Sequence, residues 1–278
     1  MLADTAELAR KAAAKREGLG AFNVVLLEFA EAFVDAAEAA GRPIIFQLSQ
    51  NAIAYHGGRL EPLGKALLDL GASAHVPVGV HLDHAESVDL CHRAVDMGFT
   101  SIMYDGSKLP DAENRATTAA VADYAHAAGV SVEAELGEVG GKNGVHNPTA
   151  RTDPQDAAKF VADTGVDLLA VAVGSSHAMA TRDAVLDTGL ISRIKAAVPV
   201  PLVLHGSSGV PDAGMVDAIH AGMTKINVST HLNVLYTAEV RRVLAADPAV
   251  VDPRKYGKPG NAAVRAEVER LLRLYAGE

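Results

Sequence analysis

The sequence predicts a single α/β domain over residues 1–278, a closed (β/α)8 TIM barrel with an N-terminal helix and a C-terminal helical extension. Three observations predict it. Eight short apolar runs, rich in Val, Ile and Leu, alternate with eight longer stretches of helical periodicity, as repeated strand–helix units around a parallel sheet do. Glycines at 41, 98, 129, 165 and 222 follow the predicted helices, where a left-handed cap residue is wanted, and Gly71 lies near the end of another. No linker or shift in composition divides the 278 residues, a length suited to one barrel.

In chain order, residues 1–16 alternate charge with alanine, as an amphipathic helix does and a cleavable leader does not. Strands are expected at 20–25, 43–49, 77–82, 100–104, 131–136, 167–173, 200–205 and 224–228. Helices are expected at 27–40, 60–74, 87–97, 111–128, 154–164, 187–197, 212–221 and 230–246. Asp153-Pro154 reads as a capping acid followed by a first-turn proline. The irregular piece 137–152 carries glycines at 137, 140, 141 and 144, and its length suggests a lid or binding loop. A last helix, 262–275, follows the turn Asp252-Pro253-Arg254 and packs outside the barrel or on a neighbour.

Composition narrows the function. No long uncharged apolar run is present, so a soluble, cytoplasmic protein without membrane contact is expected. Cys91 is the sole cysteine, which excludes an internal disulfide and a cysteine-based zinc site; it reads as a small apolar residue on a helix. A net charge of -9 with no basic stripe, and no tryptophan, argues against a nucleic-acid partner. Phosphorylated small molecules stay open, because helix N-termini and backbone amides bind phosphate without net positive charge.

In such barrels the chemistry sits where strands end, at the C-terminal mouth. The run Val80-His81-Leu82-Asp83-His84 ends abruptly in an acid and an imidazole, and two later apolar runs close on His177 and His205. Three imidazoles with an open fourth position form a catalytic metal site, so His84, His177 and His205 are expected to hold one divalent ion beside Asp83 as acid/base. Strict alternation puts His81 and Asp83 on one face and His84 on the other. Asp83 and His84 therefore share the mouth only if the strand ends or bulges at Leu82-Asp83, with His81 supporting the site from the interior. Asn23, Ser49, Asp105, Glu135 and Asn227 close the other strands. Asp105 and Glu135 are placed to orient the imidazoles or to offer the metal another position. The loops Gly206-Ser207-Ser208-Gly209 and Asn227-Val228-Ser229-Thr230 present amides where barrels bind phosphate. His56, His75, His92, His126, His146, His220 and His231 read as ordinary core or surface histidines.

These residues resemble a known family. Ala21-Phe22-Asn23, His81-Leu82-Asp83-His84, Tyr104-Asp105-Gly106-Ser107, Glu133-Ala134-Glu135-Leu136-Gly137, Val173 to His177, Leu204 to Gly209 and Lys225-Ile226-Asn227-Val228 are similar to the class II, zinc-dependent ketose-bisphosphate aldolases. The similarity runs in order along nearly the whole chain. It implies Zn2+ on His84, His177 and His205, and Asp83 as the acid/base at the hydroxyl where the carbon–carbon bond breaks. It implies Asn23 and Ser49 around the dihydroxyacetone phosphate portion, with the phosphate on Gly206, Ser208, Asn227, Ser229 and Thr230. A monovalent cation, Na+ or K+, held by nearby carbonyls is implied as well, as are a sugar phosphate substrate, a place in carbohydrate metabolism such as glycolysis, and a homodimer or homotetramer.

Some positions depart from the family pattern. The mobile loop usually carries an acidic pair after Gly-Gly, one glutamate of which moves a proton at the dihydroxyacetone phosphate carbon; here Gly140-Gly141-Lys142-Asn143 stands there, leaving Glu138 to substitute. Ala178 replaces a glycine, Ser229 replaces an acid, and Lys258 stands where an arginine reaches a neighbour's site, keeping the charge without the bidentate grip. These departures make a catalytically altered homologue, with a different aldehyde partner or a binding role, the alternative. A metal-dependent barrel hydrolase would prefer a His-x-His pair on the first strand, where Asn23 sits instead.

Overall fold

The computed structural model describes residues 1–136, 151–176 and 181–278. Eight parallel strands close into one barrel in sequence order. They are β1 (Leu19–Asn23), β2 (Ile44–Ser49), β3 (Val78–Ala85), β4 (Ser101–Tyr104), β5 (Ser131–Glu135), β6 (Leu168–Ala170), β7 (Leu202–Leu204) and β8 (Met223–Val228), with β1 paired to β8. The helices are α1 (Thr5–Lys15), α2 (Leu27–Ala40), α3 (Gln50–Tyr55), α4 (Glu61–Ser73), α5 (Val88–Met97), α6 (Asp111–Ala127), α7 (Pro154–Thr164), α8 (Thr188–Ala197), α9 (Asp212–Ala221), α10 (Thr230–Ala246) and α11 (Pro253–Tyr275). Among the described residues no helix is long and apolar enough to cross a membrane.

The main core lies between the outer face of the strands and the ring of helices, where Phe22, Phe33, Phe46, Phe99 and Phe160 are fully enclosed. Inside the barrel the layers change character with height. At the N-terminal end Ala6, Ala9 and Ala12 of α1 pack on Leu19, Ala21, Ile45, Leu168, Ala170 and Val203, so α1 plugs the bottom with small side chains. Above that plug the interior turns polar with Gln47, His81, Glu133 and Lys225, all fully buried. The mouth lies above them.

Three differences from expectation have a clear local reason. β6 stops at Ala170 because the next backbone groups pair elsewhere: Ala172 N donates to Thr152 Oγ1 at 2.8 Å, and Thr152 N donates to Ala172 O at 3.0 Å. The short α3 was not expected. Ser49 starts it by accepting Ala52 N at 3.1 Å, the ordinary act of an N-cap serine. The last helix begins at Pro253 rather than 262, because Asp252 Oδ1 accepts Arg254 N at 3.0 Å and Pro253 fills the first turn. It runs on through Pro259, and Gly260 gives the Tyr236 ring room, since a Cβ there would lie 2.5 Å from it.

Candidate active site at the barrel mouth

β3 breaks its pairing with β4 between Leu82 and Ala85, and His84 sits at φ +49, a backbone state uncommon outside glycine. That bulge is the irregularity the sequence required. It lets Asp83 and His84, consecutive in a strand, share the mouth. His84 Nδ1 donates to Asp105 Oδ2 at 2.7 Å, and Asp105 Oδ1 accepts Ser107 N at 3.2 Å and Ser107 Oγ at 2.6 Å. Asp105 thus fixes the ring of His84, as carboxylates fix metal-binding histidines.

From the opposite wall, His205 follows β7. Its Nε2 donates to Glu133 Oε1 at 2.9 Å, and its Nδ1 lies 3.3 Å from Glu135 Oε2. The rings of His84 and His205 meet edge to face with centroids 4.6 Å apart. Ligand-type atoms of Asp83, His84 and His205 all lie within 4.8 Å of one another, and so do those of His84, Asp105 and Glu135. Both clusters draw on residues expected at the strand ends, while His177, the third expected ligand, lies outside the described residues.

A divalent metal fits this arrangement. Asp83 Oδ1 is buried and has no hydrogen-bond partner among the described residues, and the donors beside it are imidazole and carboxylate, a set that suits a transition metal such as zinc. Burial alone would raise the Asp83 pKa, but the charges of His84, Lys225 and His205 and the bond from Asn23 outweigh it and hold the group below the ordinary carboxylate range. The environment therefore favours the ionised form of Asp83. Burial, with Lys225 adding to it, keeps His81 well below the usual imidazole range, so it is a neutral interior group, bonded through Nδ1 to Ser101 Oγ at 2.7 Å.

Beneath the mouth runs a continuous polar chain. Asn23 Nδ2 donates to Asp83 Oδ2 at 2.8 Å, and Gln47 Nε2 donates to Asn23 Oδ1 at 3.0 Å. Lys225 Nζ donates to Gln47 Oε1 at 2.6 Å and Asn227 Oδ1 at 2.8 Å, and pairs with Glu133 Oε2 at 2.9 Å. Sequence reasoning assigned no role to Gln47, Glu133 or Lys225. A signal existed in the alternation: each lies two residues before a polar strand end, so it shares that residue's inward face, as Gln47 does with Ser49, Glu133 with Glu135 and Lys225 with Asn227.

The two expected phosphate loops lie side by side. The Ser207 hydroxyl donates to the Asn227 carbonyl, and His231 N donates to Ser208 Oγ at 3.2 Å. Gly206 is at φ +68, and a Cβ there would meet Ser176 O at 2.5 Å, so this turn admits only glycine. Ser229 precedes α10 without a side-chain capping bond and Thr230 opens it, which places a 17-residue helix N-terminus beside the loops. Asn23, Ser49, Asp83, His84, Asp105, Glu135, His205 and Asn227 all stand at the C-terminal ends of the strands or just beyond them. Lys258 is exposed on α11. His177 and Glu138, with Lys142, Asn143, His146 and Ala178, lie outside the described residues.

The remaining groups behave as ordinary structure. His56 bonds Val25 O at 2.8 Å, His126 bonds Asp167 at 2.8 Å and His231 bonds Glu267 at 2.7 Å. Burial pushes the Cys91 thiol up to about 12, so it is inert.

Comparison with known proteins agrees with this geometry. The sequence profile of the family "Fructose-bisphosphate aldolase class-II" matches residues 3–277. The chain is 40% identical over 271 residues to a fructose-bisphosphate aldolase from Geobacillus stearothermophilus, covering 96% of this chain and 94% of that one. It is 39% identical to a fructose-bisphosphate aldolase from Thermus caldophilus, covering 99% of this chain and 98% of that one. Among solved structures it resembles the YdjI aldolase of Escherichia coli K12, with a TM-score of 0.86, 33% identity, and coverage of 99% of this chain and 97% of that chain. A full-length profile match, relatives at this level of identity, and a metal-competent mouth on a (β/α)8 barrel place the chain in the class II fructose-bisphosphate aldolase family, as an aldehyde-lyase that breaks and forms carbon–carbon bonds.

Proposed function

We propose that this protein is a zinc-dependent aldolase that reversibly cleaves a ketose bisphosphate, fructose-1,6-bisphosphate or its tagatose epimer, to dihydroxyacetone phosphate and an aldehyde. The observation that carries the reading is the convergence of Asp83, His84 and His205 at the mouth, with Asp83 buried and ionised beside the two imidazoles. In this reading His84, His177 and His205 hold Zn2+. When bound, the ion supplies a Lewis acid that draws negative charge toward the ketone oxygen during cleavage.

The chain's own groups do the rest. The substrate's ketose phosphate settles on Gly206, Ser208, Asn227, Ser229 and Thr230, where backbone amides and the N-terminus of α10 favour an anion. Ser49 spends its oxygen capping α3 at 3.1 Å, which leaves its hydroxyl proton to donate to a ligand, and Asn23 holds the same half of the sugar. Asp83 takes the proton of the hydroxyl next to the breaking bond as that carbon becomes the aldehyde, and gives it back in the condensation direction. Glu138, which follows β5 in the sequence, carries the second proton to the carbon left on the dihydroxyacetone phosphate side. Asp105 and Glu135 orient His84 and His205. Lys258 reaches the mouth of a neighbouring subunit in a homodimer or homotetramer, and a monovalent cation, Na+ or K+, sits on the carbonyls of the phosphate loops. The enzyme works in the cytoplasm on a soluble sugar phosphate.

The test is direct. Purified protein is expected to contain about one zinc per chain and to release dihydroxyacetone phosphate from fructose- or tagatose-bisphosphate in a reaction that a chelator stops and borohydride does not. Release that survives complete metal removal, or that borohydride abolishes, would replace this mechanism with a Schiff-base one.

A further inference from the structure

We infer that Lys225 is a positioning residue that sets the hydrogen-bond polarity of the whole site, turning the Asn23 amide toward Asp83 and committing His205 to the tautomer with its proton on Nε2. The inference rests on the roles proposed above for Asp83 and His205.

Lys225 is fully buried inside the barrel, where an ammonium needs hydrogen-bond acceptors and a counter-charge. It has three N–H donors and no acceptor. Two amide oxygens accept from it, Gln47 Oε1 at 2.6 Å and Asn227 Oδ1 at 2.8 Å, and Glu133 Oε2 lies 2.9 Å away as its ion-pair partner. Because an ammonium can only donate, Gln47 must turn its oxygen toward Lys225 and its amide nitrogen away. That nitrogen donates to Asn23 Oδ1 at 3.0 Å, so Asn23 in turn has its own NH2 for Asp83 Oδ2, 2.8 Å away. Reversing either amide would set NH2 against NH3+ at one end or oxygen against carboxylate at the other. One cation two residues removed thus decides that Asp83 receives a donor.

The second branch works the same way. Lys225 holds Glu133 Oε2, and Glu133 Oε1 accepts His205 Nε2–H at 2.9 Å. Nδ1, on the side of Glu135 at 3.3 Å, is then the nitrogen whose lone pair can be given to a cation. The third branch fixes the amide of Asn227, so that its NH2 faces away from Lys225. The plainer reading is that Lys225 only neutralises a buried glutamate. Besides that ion pair, both of its hydrogen bonds go to uncharged amides, which need no neutralising, and these are the bonds that orient Asp83 and the phosphate loop.

Two measurements separate the readings. Lys225→Met alone strands the Glu133 carboxylate and is expected to fold poorly, so the informative variant is Lys225→Met with Glu133→Gln, which removes both buried charges together. The inference predicts that this double variant folds, binds zinc at least 10-fold more weakly by competition with a chromophoric chelator, and loses at least 100-fold in kcat with less than a threefold change in KM. Wild-type zinc affinity and kcat in the folded double variant would show mere neutralisation and overturn the inference. Independently of any variant, long-range 1H–15N spectra of the zinc-loaded wild type are expected to show His205 protonated on Nε2; protonation on Nδ1 overturns it. A wild type that takes up no zinc would bring down the proposed function and this inference with it, whereas a zinc-binding wild type matched by the double variant brings down only the inference.

Discussion

Replacing Asp83 by Asn isolates the acid/base role, because the side chain keeps its shape and loses only charge and basicity. The surrounding bonds dictate how the new amide must sit. Asn23 cannot reverse, since its oxygen is held by Gln47 at 3.0 Å and Gln47 is held by the Lys225 ammonium at 2.6 Å. The amide oxygen at position 83 therefore occupies the Oδ2 site and accepts Asn23 Nδ2, and the new NH2 occupies the place of Oδ1, which has no hydrogen-bond partner among the described residues. The fold should tolerate this. The neighbours favour the charged form, so neutralising it costs some stability, but the donor from Asn23 is kept, and the melting temperature is expected to fall by no more than ~3 °C, corresponding to about 1 kcal/mol in a chain of this size. Catalysis should not tolerate it: a positioned acid/base contributes roughly 100- to 10,000-fold, or about 3–5 kcal/mol of barrier. The assay is the release of dihydroxyacetone phosphate at saturating substrate, with zinc content measured on the same sample. A variant that holds zinc and keeps more than a third of the wild-type kcat would show that Asp83 is not the proton carrier.

Three further perturbations test other parts of the account. Gly206→Ala forces a side chain onto φ +68 with its Cβ 2.5 Å from Ser176 O; a loss of about 3 kcal/mol, seen as a fall of roughly 5–10 °C by calorimetry, is expected, with a raised KM for the phosphorylated substrate. Asp105→Asn removes the carboxylate that holds His84 Nδ1 at 2.7 Å, and zinc affinity by chelator competition should fall ~10- to 100-fold. Glu267 is desolvated, which pushes its pKa up, but bonds from Arg270 and His231 win and bring it from 4.5 to about 2. A depressed folded-state pKa contributes stability above the unfolded value that is lost as pH falls, so up to ~3 kcal/mol should disappear between about pH 5 and pH 2. Urea unfolding of Glu267→Gln should show a shallower loss across that window, and an unchanged slope would count against the assignment.

Much of the architecture was legible because barrels advertise themselves in alternation. Every expected strand and helix is present, and the bulge deduced from the clash between Asp83 and His84 is where the pairing of β3 breaks. What the sequence left dark lay one layer deeper. Gln47, Glu133 and Lys225 sit within apolar strands, and a polar residue there reads equally as an edge or a turn until the barrel closes and shows that the three meet. Boundary errors had similar causes. β6 ends early because Thr152, from a distant segment, takes its backbone hydrogen bond, and α11 begins early because Asp252 caps it across a turn that sequence pattern alone reads as a break.

The central claim is that imidazoles far apart along the chain, at positions 84, 177 and 205, hold one cation at the open end of the barrel. Diffraction at the zinc absorption edge from zinc-loaded crystals measures this directly. The account predicts one strong anomalous peak per chain, with nitrogen atoms of His84, His177 and His205 at ~2.0–2.1 Å from it. A peak anywhere else, or bonded to only one of these rings, would contradict it.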